Sequence, residues 1–428
     1  MQSTRSERIG WYFYDWANSV FYTTVITVFI GPYLTGITKN AADSSGFIHL
    51  LGIPIHYGSY FAYIISISVF LQVFILPILG AIADNNNQKK LLMGVFAFAG
   101  SLATMGFFFL EGNRFVLGGV LFITANVFYG ASVIMYNAYL NDIAAPHERD
   151  SISSTGWGIG YIGGGLLLAI NLYFFLNYRS FAISESMAVR ICLVSAGAWW
   201  ALFTIIPMLT LKVRSKRVGN ISLNVMKSGF KQLRETISHS RSYPNTLLFL
   251  LAYLLYNDGV QTIIAMSASF GRELLGLSMS TLTTAILMVQ FVAFGGTFIF
   301  RLCASKIGAQ KSIILSLIIW VGITLYAYLF LHSEQGFYGL AAVIALVLGG
   351  TQALSRSMFS RLIPAGKEAE YFSLYEISEK GTSWLGTFAF GLALQFTNSY
   401  RIAILSISIF FISGMILLIK VKPYKPTY

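Results

Sequence analysis

Tyr14-Asp15-Trp16-Ala17-Asn18 lies inside an apolar run that extends from Ile9 to Ile37. A carboxylate and an amide three residues apart share one face of a helix, and a run of that length can cross a bilayer. The pairing returns in Tyr256-Asn257-Asp258-Gly259-Val260-Gln261, where Asp258 precedes Gln261 by three inside a second apolar run. An ionisable group in hydrocarbon costs at least ~2.5 to 3.5 kcal/mol on insertion scales, so it faces a cavity or a partner. Two matched marks of this kind predict a duplicated membrane-spanning bundle.

Composition points the same way. The 428 residues are 56% hydrophobic and only 11% charged, with a mean hydropathy of +0.67. About 240 apolar side chains supply roughly twelve spans. So little charge cannot cover the surface of a soluble multidomain enzyme. A net charge of +12 would suit nucleic acid only as a basic stripe on a soluble face. Here the bases sit in short gaps between apolar runs, where they orient helices, and no nucleic-acid partner is expected.

The runs are Ile9 to Ile37, Gly58 to Ala83, Leu91 to Leu110, Val116 to Leu140, Thr155 to Leu176 and Val189 to Leu211. After a polar gap they resume as Thr246 to Phe270, Thr281 to Cys303, Ser312 to Leu331, Phe337 to Phe359, Phe372 to Gln395 and Ile402 to Ile419. This divides the chain into a six-helix half at 1–211, a linker at 212–243 and a second half at 244–428. Thr4-Arg5-Ser6-Glu7 fits a capping box, and the first helix is read as a retained span rather than a cleaved signal.

With both termini in the cytoplasm, 22 of the 29 lysines and arginines fall on that side. The opposite side receives six, Lys39, Arg114, Arg179, Arg190, Arg272 and Arg401, and Lys380 lies inside a span. The positive-inside rule therefore sets the orientation. In the linker, Val225, Met226, Phe230, Leu233 and Ile237 recur at helical intervals between Lys227, Lys231 and Arg234, predicting a basic amphipathic helix on the inner membrane surface.

Further echoes join the halves. Gly80-Ala81-Ile82-Ala83-Asp84, followed by Lys89-Lys90, resembles the signature loop of the major facilitator superfamily, which latches one conformation. Asn85 and Asn87 depart from it. The second copy keeps Lys306, Gly308 and Lys311 but has Ser305 where an acid is usual. Asn137 precedes Pro146 much as Arg356 precedes Pro364, and Gly156, Gly158, Gly160, Gly163, Gly164 and Gly165 are answered by Gly381, Gly386 and Gly391. Small residues at such spacing let helices approach closely.

Together with Gln352-Ala353-Leu354-Ser355-Arg356-Ser357 and Tyr375-Glu376-Ile377-Ser378-Glu379-Lys380-Gly381, the opening motifs closely resemble the vacuole effluxer branch of the major facilitator superfamily over almost the whole chain. The resemblance implies an all-α integral membrane protein of major facilitator fold, with twelve transmembrane helices in two pseudo-symmetric six-helix bundles. Eukaryotic members are associated with amino-acid release from vacuoles. The tight loops and short termini resemble those of bacterial members, so a bacterial inner membrane is the expectation and vacuolar biology is not carried over.

Asp15, Asp258, Glu376 and Glu379 are the acids left inside spans. Asp258, about thirteen residues and ~20 Å into its span, is read either as a proton-exchanging carboxyl or as a fixed acid pinning two helices. Asp15 has the same two readings. Glu376 and Lys380 stand at i and i+4 in ion-pair order. Arg356, with Gln352 one turn away, holds either an anionic substrate group or Glu379. Asp15, Asn18, Asn137, Asp258, Gln261, Gln352, Arg356, Glu376, Glu379 and Lys380 are thus the coupling or substrate candidates. Gly80, Asp84, Lys89, Lys90, Lys306, Gly308 and Lys311 are the latch candidates.

The expected function is secondary transport of a small polar solute, such as an amino acid, by alternating access coupled to protons or another ion, in a monomer. No phosphate-binding loop is present to use ATP. The alternatives are a carrier of lipid-like amphiphiles and a membrane-embedded transferase; the latter lacks any His/Asp cluster or serine elbow. No cofactor, catalytic residue or metal is expected. Cys192 and Cys303 are read as packing residues, and His49 and His56 as solvated loop residues. Trp11, Tyr14 and Trp16 are read as an interfacial belt.

Overall fold

The computed structural model describes residues 4–50, 52–86, 89–144, 149–213, 243–360, 362, 375 and 384–422. Helices α1 (Arg5–Val20), α2 (Ile30–Ala41), α3 (Tyr57–Asn86), α4 (Lys89–Met105), α5 (Phe115–Ile143), α6 (Arg149–Leu176) and α7 (Glu185–Thr210) form the first series. The second comprises α8 (Pro244–Leu275), α9 (Met279–Ile307), α10 (Ala309–Leu329), α11 (Glu334–Ser360), α12 (Trp384–Thr397), α13 (Tyr400–Ser406) and α14 (Ser408–Lys420). Among the described residues ten helical segments are long and apolar enough to cross a membrane, and the shorter apolar helices Met279–Ala293 and Trp384–Thr397 join them. Side chains such as Leu209, Tyr173 and Phe291 stand exposed on helix exteriors, which suits lipid and not water.

The chain divides into two compact units. One holds residues 1–41 and 70–232, the other residues 42–69 and 233–428. The second unit therefore takes in the first connecting loop and the opening turns of α3, and the division along the chain falls within the 212–243 linker. The predicted amphipathic helix of that linker lies outside the described residues.

Local chemistry explains the helix ends. Thr4 accepts the Glu7 N–H while the Glu7 carboxylate accepts the Thr4 N–H, completing the capping box. Between α1 and α2 the helix continues as a nine-residue π segment, Phe21–Phe29. Thr27 Oγ1 there donates to the Tyr22 carbonyl at 2.8 Å, five residues back. Strands β1 (Phe47–Leu50) and β2 (Ile53–His56) pair antiparallel, Phe47 opposite His56 and Leu50 opposite Ile53, with Gly52 at φ +82° in the turn. Ser184, Ser278 and Ser399 cap α7, α9 and α13.

In the first unit, α6 presents its glycines to the first helix. A Cβ at Gly156 would meet the Trp11 ring at 2.7 Å, one at Gly163 the Trp16 carbonyl at 2.8 Å, and one at Gly164 the Thr23 side chain at 3.1 Å. Gly158 and Gly165 face open space. The stripe read from the sequence thus consists of one tight face and two bystanders.

Helices α4 and α7 hold each other's C-terminal ends. Lys90 at the start of α4 donates to the Leu211 carbonyl beyond α7 at 2.6 Å. Arg190 in the first turns of α7 donates to the Phe108 carbonyl at 3.1 Å and pairs with Glu111 at 3.4 Å. The second unit repeats the device. Gln310 at the start of α10 donates to the Leu418 and Val421 carbonyls at 2.8 Å each, and Arg401 in α13 donates to the Ala327 and Tyr328 carbonyls in the last turn of α10 and to the Leu331 carbonyl just beyond it. Unpaired carbonyls carry the negative end of the helix dipole, which cations satisfy. Three of the six bases counted on the less basic side are therefore engaged on helix ends: Arg190, Arg401 and Arg114, which donates to the Phe109 carbonyl at 3.3 Å.

Candidate functional site

In the first unit, Tyr136 on α5 donates its hydroxyl to Asp15 Oδ2 at 2.7 Å. Its ring stacks on Trp11 at 4.3 Å and 17°, and Trp11 Nε1 donates to the Tyr136 carbonyl at 3.0 Å. Gly156 and Gly160 let α6 close on half-buried Asp15, since a Cβ there would lie 3.0 Å from Asp15 Oδ2 and 3.3 Å from Asp15 Cβ. Trp11 and Tyr14 are fully enclosed rather than interfacial, at 2% and 0% exposure. The bundle needs their ring area against Tyr136, and that need outweighs the interfacial preference read from the sequence. Trp16 stacks on Trp199 at 5.6 Å.

Asn18 is buried, and its Nδ2 lacks a hydrogen-bond partner among the described residues. Asn137 is half-buried on α5, the residue after Tyr136. Two polar groups passed over in the sequence also lie inside: Gln72 donates from α3 to the Asn126 carbonyl on α5 at 3.1 Å, and Ser19 donates to the Gly160 carbonyl at 2.7 Å.

In the second unit Asp258 is wholly enclosed, at 0% exposure. Its Oδ2 accepts the Gly386 N–H from α12 at 2.8 Å, while Oδ1 has no hydrogen-bond partner among the described residues. A Cβ at Gly386 would strike Thr262 Oγ1 and approach Asp258 Oδ1 at 3.1 Å, so glycine is what lets α12 reach the carboxyl. Tyr256 shares a 2.6 Å hydrogen bond with Ser355, which donates to the Thr351 carbonyl, and Thr351 Oγ1 in turn donates to Ser316 and accepts from Trp320 Nε1, all buried. Gln261 and Gln352 are half-buried.

The structural echo is offset from the sequence echo by one residue. Tyr14 lies beside Ser132 of α5, as Tyr256 does beside Ser355 of α11. Aligning these tyrosines sets Asp15 opposite Asn257, and Trp16 opposite Asp258. The two carboxyls occupy different positions in their respective helices, and each has its own partner.

Arg356 lies on α11, but its side chain is outside the described residues, as are Glu376, Glu379 and Lys380 and the Asp84 side chain; Gly80 and Asp84 lie on α3, and the surroundings of Gly80 are likewise outside them. Lys89 pairs with Asp142 of α5 at 3.3 Å, and Lys90 caps α7 as described. Lys306 and Lys311 are exposed around Gly308, whose φ of +86° makes the turn from α9 to α10. Among the described residues no three His, Cys, Asp or Glu side chains group to hold a metal ion. Both cysteines are free, Cys192 buried and Cys303 half-buried.

The first loop departs from its expected character. His49 is exposed, but His56 is buried at 2% exposure, its ring 4.5 Å from Tyr57 and edge-on to Phe47 at 5.8 Å. The reading as a solvated residue fails because the β-hairpin folds back onto its own unit. Composition carried no sign of that contact.

A family model described as "Vacuole effluxer Atg22 like" matches residues 3–425. The chain belongs to this family. The "Uncharacterized MFS-type transporter YxiO" of Bacillus subtilis (strain 168) is 31% identical over 420 residues, covering 98% of this chain and 95% of that protein. "Autophagy-related protein 22-1" of Aspergillus niger is 25% identical over 521 residues, covering 91% of this chain and 84% of its own.

Among solved structures, the nucleoside transporter NupG matches at a TM-score of 0.68 and 12% identity, covering 97% of this chain and 98% of its own. A bacterial homolog to the human lysosomal transporter Spinster matches at 0.65 and 15%, covering 99% and 98%. At such identities the likeness shows the fold alone. This vacuole effluxer family member has the major facilitator fold, and it is a secondary transporter rather than an enzyme.

Proposed function

We propose that this vacuole effluxer relative moves a small polar solute by alternating access and that a proton on Asp258 drives it. The supporting observation is the carboxyl itself. It is fully enclosed, one oxygen has a single N–H donor and the other has none among the described residues. A buried carboxylate with so little compensation is expensive, so gaining or losing a proton here changes the free energy of the enclosed state strongly. A conformation that wets Asp258 releases the proton, which couples protonation to the transport cycle.

Amino acids are the substrate class we favour, from the family resemblance: Arg356 and Asp258 offer opposite charges to a zwitterion. Asp15, Asn18, Asn137, Gln261, Gln352, Glu376, Glu379 and Lys380 are the further contacts. Gly80, Asp84, Lys89, Lys90, Lys306, Gly308 and Lys311 latch one state of the cycle. The protein works as a monomer in a bacterial inner membrane with both termini cytoplasmic. Proteoliposomes loaded with mixed radiolabelled amino acids and given an imposed pH gradient test this. Gradient-driven flux is expected in wild type and absent in Asp258→Asn. Wild-type flux in that variant removes the coupling role, and no flux of any amino acid in wild type removes the substrate class.

A further inference from the structure

His56 occupies a position that its buried state alone does not explain. It is the residue immediately before α3, and its Nδ1 accepts the N–H of Gly58, the second helical residue, at 3.3 Å. The side chain is thus an N-cap, satisfying one of the first-turn donors that a helix leaves unpaired. Its own main-chain N–H donates to Gln395 Oε1 of α12 at 2.9 Å, and Gln395 Nε2 returns a bond to the Pro54 carbonyl at 3.1 Å. Ser59 donates to the Gly391 carbonyl and Ser66 to the Trp384 carbonyl, each at 2.9 Å. One hairpin edge and the opening turns of α3 are in this way fastened along α12 within a single unit.

Only a neutral imidazole can hold this cap. A proton on Nδ1 removes the acceptor and sets a positive charge against the positive end of the α3 dipole. Glu273 of α8 is the charged group that acts on the ring, Tyr57 lies against its face and donates to Glu273 Oε2 at 3.5 Å, and the Tyr400 hydroxyl of α13 lies close to Gly58. Phe47 and Gln395, from the hairpin and α12, do not titrate. The neutral ring accepts the Gly58 N–H and the charged ring cannot, while Glu273 favours the charged form electrostatically. Burial holds the imidazole below its usual range despite Glu273, so the neutral, capped state is the resting one near neutral pH.

We propose that residues 47–66 form a clasp on α12 that a proton delivered to His56 releases. In the orientation proposed above, the clasp lies on the side opposite the termini. Acidification of that compartment then frees the hairpin and the start of α3, a second protonation event separate from that at Asp258.

Hydrogen exchange followed by mass spectrometry on the full-length protein in lipid nanodiscs tests this, at pH 8 and pH 5.5, with rates normalised for intrinsic chemistry. Peptides covering 47–66 in wild type should exchange about fivefold faster at the lower pH, the factor that loss of one helix cap implies. His56→Gln, which keeps an acceptor but does not titrate, should abolish the difference. Gln395→Ala should exchange fast at both values. Asp258→Asn should leave the difference in place, so failure of the coupling role and failure of the clasp are distinguishable. Equal wild-type protection at both pH values, or a persisting difference in His56→Gln, overturns the proposal. The wild-type comparison stands even if a variant does not fold.

Discussion

Tyr136 and Asp15 are joined by a 2.7 Å hydrogen bond in which the phenol donates to the carboxylate, with the Tyr136 ring clamped under Trp11. That bond crosses from α5 to α1 and supports one of the two readings of Asp15, an acid that holds helices together. Tyr136→Phe keeps the stack and removes the donor. We expect a loss of about 1.5 kcal/mol, the low end for a bond to a charged group because Asp15 has further contacts. Thermal unfolding in detergent by tryptophan fluorescence checks it; an unchanged transition would leave the bond without a stabilising role.

The α6 glycines give a sharper contrast. Gly163→Ala places a methyl group 2.8 Å from the Trp16 carbonyl, which is backbone and cannot swing aside, and should destabilise by about 1 to 3 kcal/mol. Gly158→Ala and Gly165→Ala meet nothing within 4 Å and should be neutral or slightly stabilising, up to about 1 kcal/mol. Equal melting temperatures for Gly163→Ala and Gly165→Ala would contradict the assignment of the packed face.

Removing the guanidinium of Arg401 uncovers three carbonyls at once. Arg401→Ala should cost about 2 kcal/mol, and Arg401→Lys should recover only part of this because an ammonium does not offer the planar fork. Denaturation in increasing sodium dodecyl sulfate ranks the three proteins. A lysine variant as stable as wild type would show that charge alone suffices.

The hairpin should weaken in acid in two separate windows. His56 is held below its ordinary range by burial, with Glu273 opposing. An unfolded histidine binds a proton from about pH 6.5 downward while the folded one resists, so stability is full above that value and falls as pH drops through it. Asp43 is held below the usual carboxylate range by the Phe47 N–H, with Ser45 adding to it. Its contribution is present above about pH 3.9 and is lost as pH falls through its folded value. Melting temperatures between pH 8 and 3, with His56→Gln and Asp43→Asn removing one window each, separate the two.

Much of the architecture was legible because its physics is local. A bilayer demands long apolar runs, and the runs at 9–37 and 246–270 announce themselves. Thr4 and Glu7 formed the capping box that their spacing implied. What escaped was contact over long sequence distance. Nothing near His56 in the chain announces Gln395, so a buried cap was read as a solvated loop residue. Aromatic residues favour both interfaces and cores, and for Trp11 and Tyr14 contacts distant in sequence, Tyr136 foremost, decide for the core. Pairing Asp15 with Asp258 matched residue type. The Ser132 and Ser355 neighbours align the tyrosines instead, and the acids are offset by one.

The paired helix ends have a mechanical meaning. Because Lys90 pins the far end of α7 while Arg190 pins the far end of α4, neither helix can slide lengthwise past the other without breaking both ties together. Gln310 and Arg401 impose the same constraint on α10 and its partner. Each pair behaves as a doubly anchored beam, resistant to shear but free to tilt as one piece. Whatever motion a unit undergoes, a pair braced in this way keeps its helical register.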